Sequence, residues 1–173
     1  KIYDIDVFDT PSTTISALNN AGLIVICYMS VGSYEDWRPD VRQFPKSVRS
    51  KPLYKIWKGE WWLDVRQIAT LGPIMKARMV LAVQKGFDGV EGDNVDGYTN
   101  DSGFLLNADD QVAYNRWLAD TAHSLGLLVG LKNTMTLASQ LFAWYDFALL
   151  EQCVYCTSCD SAKPFLNANL AVF

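Results

Sequence analysis

Strand-like and helix-like segments alternate along the 173 residues, six strand candidates can be counted, and no Gly-rich phosphate loop follows the first of them. Together these observations predict an α/β fold of the (β/α)8 TIM-barrel type. A closed barrel needs eight strands and typically about 250 residues. The expectation is therefore an incomplete barrel lacking flanking strands at both ends of the chain, forming one domain over residues 1–173. Each strand-helix-strand step would be a right-handed crossover within a parallel sheet.

The elements follow in order. "IYDIDVF" is a short β-prone run, and "TPSTTISALNNAG" reads as a helix. Pro11 near its start lacks only an N–H that a first turn leaves unpaired anyway, and Gly22 marks its stop. "LIVICYMS" is a continuous apolar run rich in β-branched residues, the mark of a strand buried on both faces. A long connection from Val31 to Leu63, rich in Trp, Arg, Lys and Pro, leads to a helix over Ile68 to Gln84 and then to "FDGVEGD" as a strand. Ala108 to Ser124 reads as a helix capped by Asn107, with Asp109 and Asp110 in its first turn facing the positive end of the helix dipole. "LLVGLKN" is a strand, Leu137 to Trp144 a helix and "DFALLE" a strand. Ala162 to Asn167 is again helical, and "LAVF" begins the sixth strand.

Half of the residues are hydrophobic and 20% are charged, enough for a substantial core. Nothing approaches an apolar run long enough to cross a bilayer, so a soluble protein is expected. The sequence enters a strand-like segment at Lys1, so any targeting leader is expected to be absent or already removed. A net charge of −4 and a pI near 4.9 argue against nucleic-acid binding, which needs a basic surface to displace counterions. An acidic surface suits neutral or cationic partners instead. Of the four cysteines, Cys27 stands in an apolar run, and Cys153, Cys156 and Cys159 cluster in "EQCVYCTSCD". A zinc site needs a fourth ligand, and the single histidine, His123, lies in a helix elsewhere. Disulfide pairing is thus favoured over metal, with its connectivity open and Cys27 a buried thiol. The triplet Asn100-Asp101-Ser102 fits a secreted, glycosylated product.

Polar residues close the strand candidates. "YDID" carries Asp4 and Asp6; "VICYMSVGSYEDWRPD" ends with Tyr28, Glu35, Arg38 and Asp40; "WWLDVR" carries Asp64 and Arg66. "GVEGDNVD" ends with Asp93, Asn94 and Asp96, "VGLKN" with Lys132 and Asn133, and "FALLEQC" with Glu151 and Gln152. Any one strand end is polar because it enters a loop, but several in succession point to a site at the carboxyl face of the sheet. Asp93 and Glu151 stand at the change from buried to polar surroundings, where desolvation separates two carboxyl pKa values. Glycoside hydrolysis uses such a pair, one carboxyl as acid and the other as nucleophile or base. Lys132 and Asn133 would hold sugar hydroxyls and aromatics would stack on sugar faces, although most of Trp57, Trp61, Trp62, Trp117 and Trp144 are expected to serve packing. The Asp93, Asn94, Asp96 spacing does not match a calcium loop, so neither metal nor cofactor is expected. No nucleophile elbow accompanies the lone histidine, which argues against a Ser-His-Asp triad. Glu91 is expected to point away from the cleft and pair with Arg66 or Lys132.

The stretches "YDIDVFD", "VICYMSVGSYEDWRPD", "GEWWLDVR", "DGVEGDNVDGY", "GLKN" and "EQC" occur in an order and spacing that resemble family 114 of the glycoside hydrolases. These are endo-α-1,4-polygalactosaminidases, secreted (β/α)-barrel enzymes of fungi and bacteria. The resemblance implies that Asp93 and Glu151 are the catalytic carboxylates, Asp93 as nucleophile and Glu151 as general acid/base. It implies substrate contacts at Asp6, Tyr28, Glu35, Asp64, Asn94, Asp96, Lys132 and Asn133. The implied partner is a galactosamine-containing polysaccharide, with no nucleic acid and no membrane, acted on by an extracellular monomer. Such a polymer is cationic where its amines are free, and surplus carboxylates such as Asp6, Glu35, Asp64 and Asp96 would attract it. Gly92 stands where the family has a proline, and Leu150 where it has an asparagine. The alternatives are a non-catalytic carbohydrate-binding barrel and a glycosidase for another α-galactoside.

Overall fold

A computed structural model describes residues 1–53 and 57–173. Among them, six strands form one parallel sheet: β1 (Ile2–Asp6), β2 (Ile24–Ser30), β6 (Gly89–Asp93), β7 (Leu128–Lys132), β8 (Phe147–Leu149) and β9 (Ala171–Val172), adjacent in that order. Chain order and spatial order agree, so the sheet is half of a (β/α) barrel whose outer strands are β1 and β9. Five helices run alongside, α1 (Ser12–Asn20), α2 (Ile68–Lys85), α3 (Ala108–Ser124), α4 (Ala138–Leu141) and α5 (Lys163–Asn167). None of the described helices is long and apolar enough to cross a membrane.

Alternation along β2 explains its uninterrupted hydrophobicity. Val25, Cys27 and Met29 are fully buried in the core that also holds Leu71, Met75 and Met79 of α2, while Ile26 and Ser30 are buried on the opposite face. Helix α3 has the bounds expected from its sequence. Asn107 Oδ1 accepts the Asp110 N–H at 3.0 Å, and Asp110 Oδ2 accepts the Asn107 N–H at 3.0 Å. This reciprocal cap satisfies two amides that the first turn leaves free.

Two stretches differ from expectation. The long connection from Val31 to Leu63 carries a second sheet, antiparallel, of β3 (Ser33–Glu35), β5 (Glu60–Leu63) and β4 (Arg49–Pro52), with β5 in the middle. Strands of three or four residues are too short for alternation to show against so many charged residues and prolines. The helix expected over Leu137 to Trp144 is a single α-turn, Ala138–Leu141, between 3-10 turns at Met135–Leu137 and Phe142–Trp144. Leu137, Ala138 and Leu141 are buried at the spacing of one helix face, so the hydrophobic pattern reads as helix although only one α-turn forms.

Arginines fasten the small sheet to the barrel. Arg78 of α2 reaches Asp40 through Nε (2.7 Å) and Nη2 (3.0 Å) and the Ser30 carbonyl through Nη1 (2.6 Å). Arg38 joins Glu35 (2.9 Å) to Asp6 (2.7 Å) at the end of β1. The β2–β6 register sets Ser30 beside Asp93 and Tyr28 beside Glu91, so the carboxyl ends of these strands finish level.

Candidate active site

A cleft of about 410 Å³ opens at the carboxyl ends of the central strands. Tyr28, Asp93, Asn94, Asp96, Lys132, Asn133 and Glu151 line it from the barrel, and Glu60, Trp62, Trp57 and Leu53 line it from the small sheet and its loop. Asp93 ends β6 and is held through its backbone. Its carbonyl accepts the N–H groups of Val31 (3.1 Å) and Gly32 (3.2 Å). A side chain at Gly32 would place a Cβ 1.7 Å from the Asn94 carbonyl oxygen, so only glycine allows β2 and β6 to close up here.

The Asp93 carboxylate accepts the Tyr28 hydroxyl on Oδ2 (3.2 Å) and the Asn94 N–H on Oδ1 (2.9 Å), with Lys132 Nζ 3.9 Å away. Burial raises its pKa and Glu91 adds to that, while Lys132, the Asn94 amide and Tyr28 pull it back; the net direction is upward. Lys132 is buried between two carboxylates. Its Nζ lies 2.5 Å from Glu91 Oε1, so Glu91 pairs with Lys132 and not with Arg66. Burial alone would lower the lysine, but Asp93 and Glu91 lift it above its ordinary value and keep it cationic. Burial likewise raises Tyr28, which stays a neutral donor.

Glu151 follows β8 at the exposed mouth. Its N–H donates to Asn133 Oδ1 at 2.8 Å, and Asn133 Nδ2 lies 3.5 Å from Glu151 Oε2. A shared backbone device follows each of these functional positions. Asn94 (φ 62°), Asn133 (φ 51°) and Gln152 (φ 59°), directly after Asp93, Lys132 and Glu151, are left-handed. That conformation costs a residue with a Cβ about 1–2 kcal/mol and is most accessible to carboxamide and acidic side chains. The chain thus turns sharply at the rim and leaves the preceding side chain on the cleft wall. The dipeptides Asp-Asn, Lys-Asn and Glu-Gln are the sequence trace of this pattern.

Three expected contact residues lie elsewhere, each occupied by arginine. Asp6 Oδ2 bonds Arg38, and its Oδ1 accepts the Phe8 and Asp9 N–H groups at 2.8 and 2.9 Å. Burial would raise Asp6, but Arg38 and these amides hold it below the usual range. Glu35, buried between Arg38 and Arg78, is nevertheless pushed up to about 7 by that burial. Asp64 holds Arg66 with both oxygens, at 2.7 and 3.0 Å. The short spacings Glu-x-x-Arg and Asp-x-Arg are sequence signals of the local pairs. Asp96 does line the cleft, and burial together with Asp93 raises its pKa.

Glu60 was not expected at the wall, whereas Trp57 and Trp62 are the aromatics that take up a place there. Trp62 is buried yet faces the cleft, and Trp57 is more than half exposed beside it. Trp117 stacks on Tyr114 and Trp144 packs under Arg116, so these two do serve packing. Gly92 fits beside Val31, whose Cγ2 would sit 2.8 Å from any Cβ there. Asn100 of the sequon also lines the cleft and donates to the Asp96 carbonyl, while Ser102 is buried, so a glycan would occupy the cleft itself. Cys153 and Cys159 form a disulfide just past Glu151, leaving Cys27 a buried thiol and Cys156 an exposed one. Among the described residues no three His, Cys, Asp or Glu side chains are grouped to hold a metal. His123 bonds Asp146 (2.9 Å), away from the cleft.

Residues 1–173 match the family described as Glycoside-hydrolase family GH114. The crystal structure of Aspergillus fumigatus Ega3 in complex with galactosamine is similar over 99% of this chain and 68% of that one, at 40% identity and a TM-score of 0.95. The glycoside hydrolase domain of PelA from Pseudomonas aeruginosa shares the fold at 13% identity, with a TM-score of 0.72 over 99% of this chain and 74% of that one. A maltogenic α-amylase, AmyB from Thermotoga neapolitana, shares it at 12% identity and a TM-score of 0.59, over 91% of this chain and 34% of that one. No curated protein sequence matches the chain significantly.

Proposed function

The chain belongs to glycoside-hydrolase family GH114, and from that premise we propose that it is one catalytic domain of a secreted, monomeric, endo-acting hydrolase of α-1,4-linked galactosamine polymers. The observation that carries the reading is the presence of Asp93 and Glu151 on the walls of one cleft, at the ends of neighbouring parts of the sheet. The likeness to Ega3, whose structure holds galactosamine, supports the substrate class. A disulfide beside the cleft supports an oxidising, extracellular destination.

In this mechanism Asp93 is the nucleophile. Tyr28, the Asn94 amide and Lys132 all favour its anionic form against the cost of burial. Its carboxylate attacks the anomeric carbon as the bond to the leaving oxygen breaks, and Glu151 gives that oxygen its proton. The deprotonated Glu151 then takes a proton from water, which attacks the glycosyl-enzyme ester and releases Asp93. Exposure at the mouth lets Glu151 exchange protons with solvent, and Asn133 orients it. Asp93→Asn and Glu151→Gln should each abolish release of oligosaccharides from deacetylated α-1,4-galactosamine polymer while leaving the melting curve cooperative. Full activity in either variant removes that residue from the mechanism. Binding without turnover by the unmutated chain would favour a sugar-binding barrel, and cleavage confined to other α-galactosides would move the substrate class.

A further inference from the structure

The carboxylates that could meet a cationic sugar are fewer than a count of acidic residues suggests. Asp6, Glu35 and Asp64 are matched by Arg38, Arg78 and Arg66. In the cleft, Lys132 answers Glu91 and Asp93. Glu60 and Asp96 line the same cleft and form no ion pair with Lys, Arg or His among the described residues. A carboxylate taken from water without a counter-charge is costly, and Glu60 is only 8% exposed.

A chain of hydrogen bonds fixes the orientation of Glu60. Asn94 Nδ2 donates to Ser30 Oγ at 2.9 Å, and the Ser33 N–H donates to the same oxygen at 3.2 Å. With those two bonds accepted, the Ser30 hydroxyl proton is directed at Ser33 Oγ, 2.6 Å away. The Ser33 hydroxyl in turn donates to Glu60 Oε2 at 3.1 Å. Every donor in the chain runs towards Glu60, which ends it as an anionic acceptor. Among the described residues, Oε1 accepts nothing and is left to the cleft. Period-two alternation puts Trp62 on the same face of β5, so a sugar ring against the indole would present a polar substituent to Glu60. Burial, with Asp93 nearby, raises the Glu60 pKa against the pull of Ser33 and of the more distant Arg38, which forms no ion pair with it.

We propose that Glu60, with Asp96, binds the protonated 2-amino group of a galactosamine unit and so selects the deacetylated sugar over its N-acetylated form. The inference rests on the functional reading above and assigns the amine to a particular carboxylate. Acetylation removes the charge and two of the three N–H donors, leaving Glu60 a buried anion against a neutral amide.

The test compares the unmutated chain, Glu60→Gln and Glu60→Asp on galactosamine oligomers and on N-acetylgalactosamine oligomers. Glu60→Gln should raise KM for the amine substrate roughly 10- to 100-fold, the loss expected of one charge-assisted hydrogen bond. Its kcat should change far less, and the preference in kcat/KM for amine over N-acetyl should fall by the same factor. Glu60→Asp, which keeps the charge with a shorter reach, should lie between. An unchanged preference in a Glu60→Gln protein that melts normally overturns the proposal. Should Glu60→Gln not fold, an unchanged preference in Glu60→Asp overturns it. If the unmutated chain cleaves neither oligomer, the functional reading fails on its own, and calorimetry with galactosamine against galactose then decides on Glu60. Tighter binding of the amine that is lost in Glu60→Gln and only reduced in Glu60→Asp supports the assignment, and equal binding of the two sugars refutes it.

Discussion

Replacing Gly32 by alanine adds a single methyl group at the place where the catalytic strand is anchored. That Cβ would lie 1.7 Å from the Asn94 carbonyl oxygen and 2.6 Å from its carbonyl carbon. A carbon–oxygen contact settles at about 3.3 Å, so the two segments must part by about 1.6 Å. The obstacle is backbone and has no rotamer to yield with. Separation stretches both hydrogen bonds into the Asp93 carbonyl, from Val31 and Gly32. Overpacking plus two weakened bonds gives a destabilisation on the order of 3 kcal/mol, roughly 10 °C in Tm for a chain of this size. The Asp93 carboxylate moves with its carbonyl, and a misplacement of about 1 Å costs on the order of 100-fold in rate. Reducing-end release from galactosamine oligomers reports kcat, and thermal melts report stability. Gly126→Ala is the control, because its Cβ would meet nothing within 4 Å and only its φ of +77° is strained. It should cost about 1–2 kcal/mol and leave kcat alone. Unmutated kcat in Gly32→Ala, or an equal loss of rate in Gly126→Ala, would refute the claim that this close approach places Asp93.

Two further variants probe buried charge. Burial moves the Glu35 carboxyl from 4.5 to about 7. A group that binds its proton more tightly when folded contributes most below its unfolded pKa. Stability should therefore fall by on the order of 3 kcal/mol as pH rises from about 4.5 through 7, and Glu35→Gln should flatten that slope. Urea unfolding at pH 4.5 and 7.5 reads the difference, and matching slopes in the two proteins would count against it. Lys132→Met strips the counter-ion from buried Glu91 and from Asp93, at an expected cost of about 3–5 kcal/mol at neutral pH. The raised pKa of Lys132 means that its own contribution persists up to the unfolded lysine value, about 10.4, and is lost only above it. Below neutrality the penalty should shrink as Asp93, whose pKa burial raises, takes up its proton, and melts showing the same penalty at pH 5 and 7 would contradict this account.

Most of the half-barrel was legible because its signals are local. The apolar run of β2, the Asn107 cap and the alternation of strand with helix each lie within one segment, and parallel crossovers then order neighbouring strands by sequence. For the same reason Asp93, Asn94, Lys132, Asn133 and Glu151 could be placed on one rim: a residue at the carboxyl end of a parallel strand sits on that face whatever the loops do. The left-handed turns were written there too, in Asp-Asn, Lys-Asn and Glu-Gln, but only the backbone angles make them a pattern. The small sheet escaped because strands of three or four residues carry too little periodicity, and Glu60 escaped with it.

The sequence by itself determined the sheet order and which side chains end its strands, since both follow from periodicity and chain direction. Only the tertiary structure decided which carboxylates remain available to a ligand. Asp40 meets Arg78 across 38 positions of sequence and Glu91 meets Lys132 across 41, whereas Glu60 bonds a serine and forms no ion pair among the described residues. The energy of a charge depends on its distance to other charges and to water, and those distances exist only once the chain has folded.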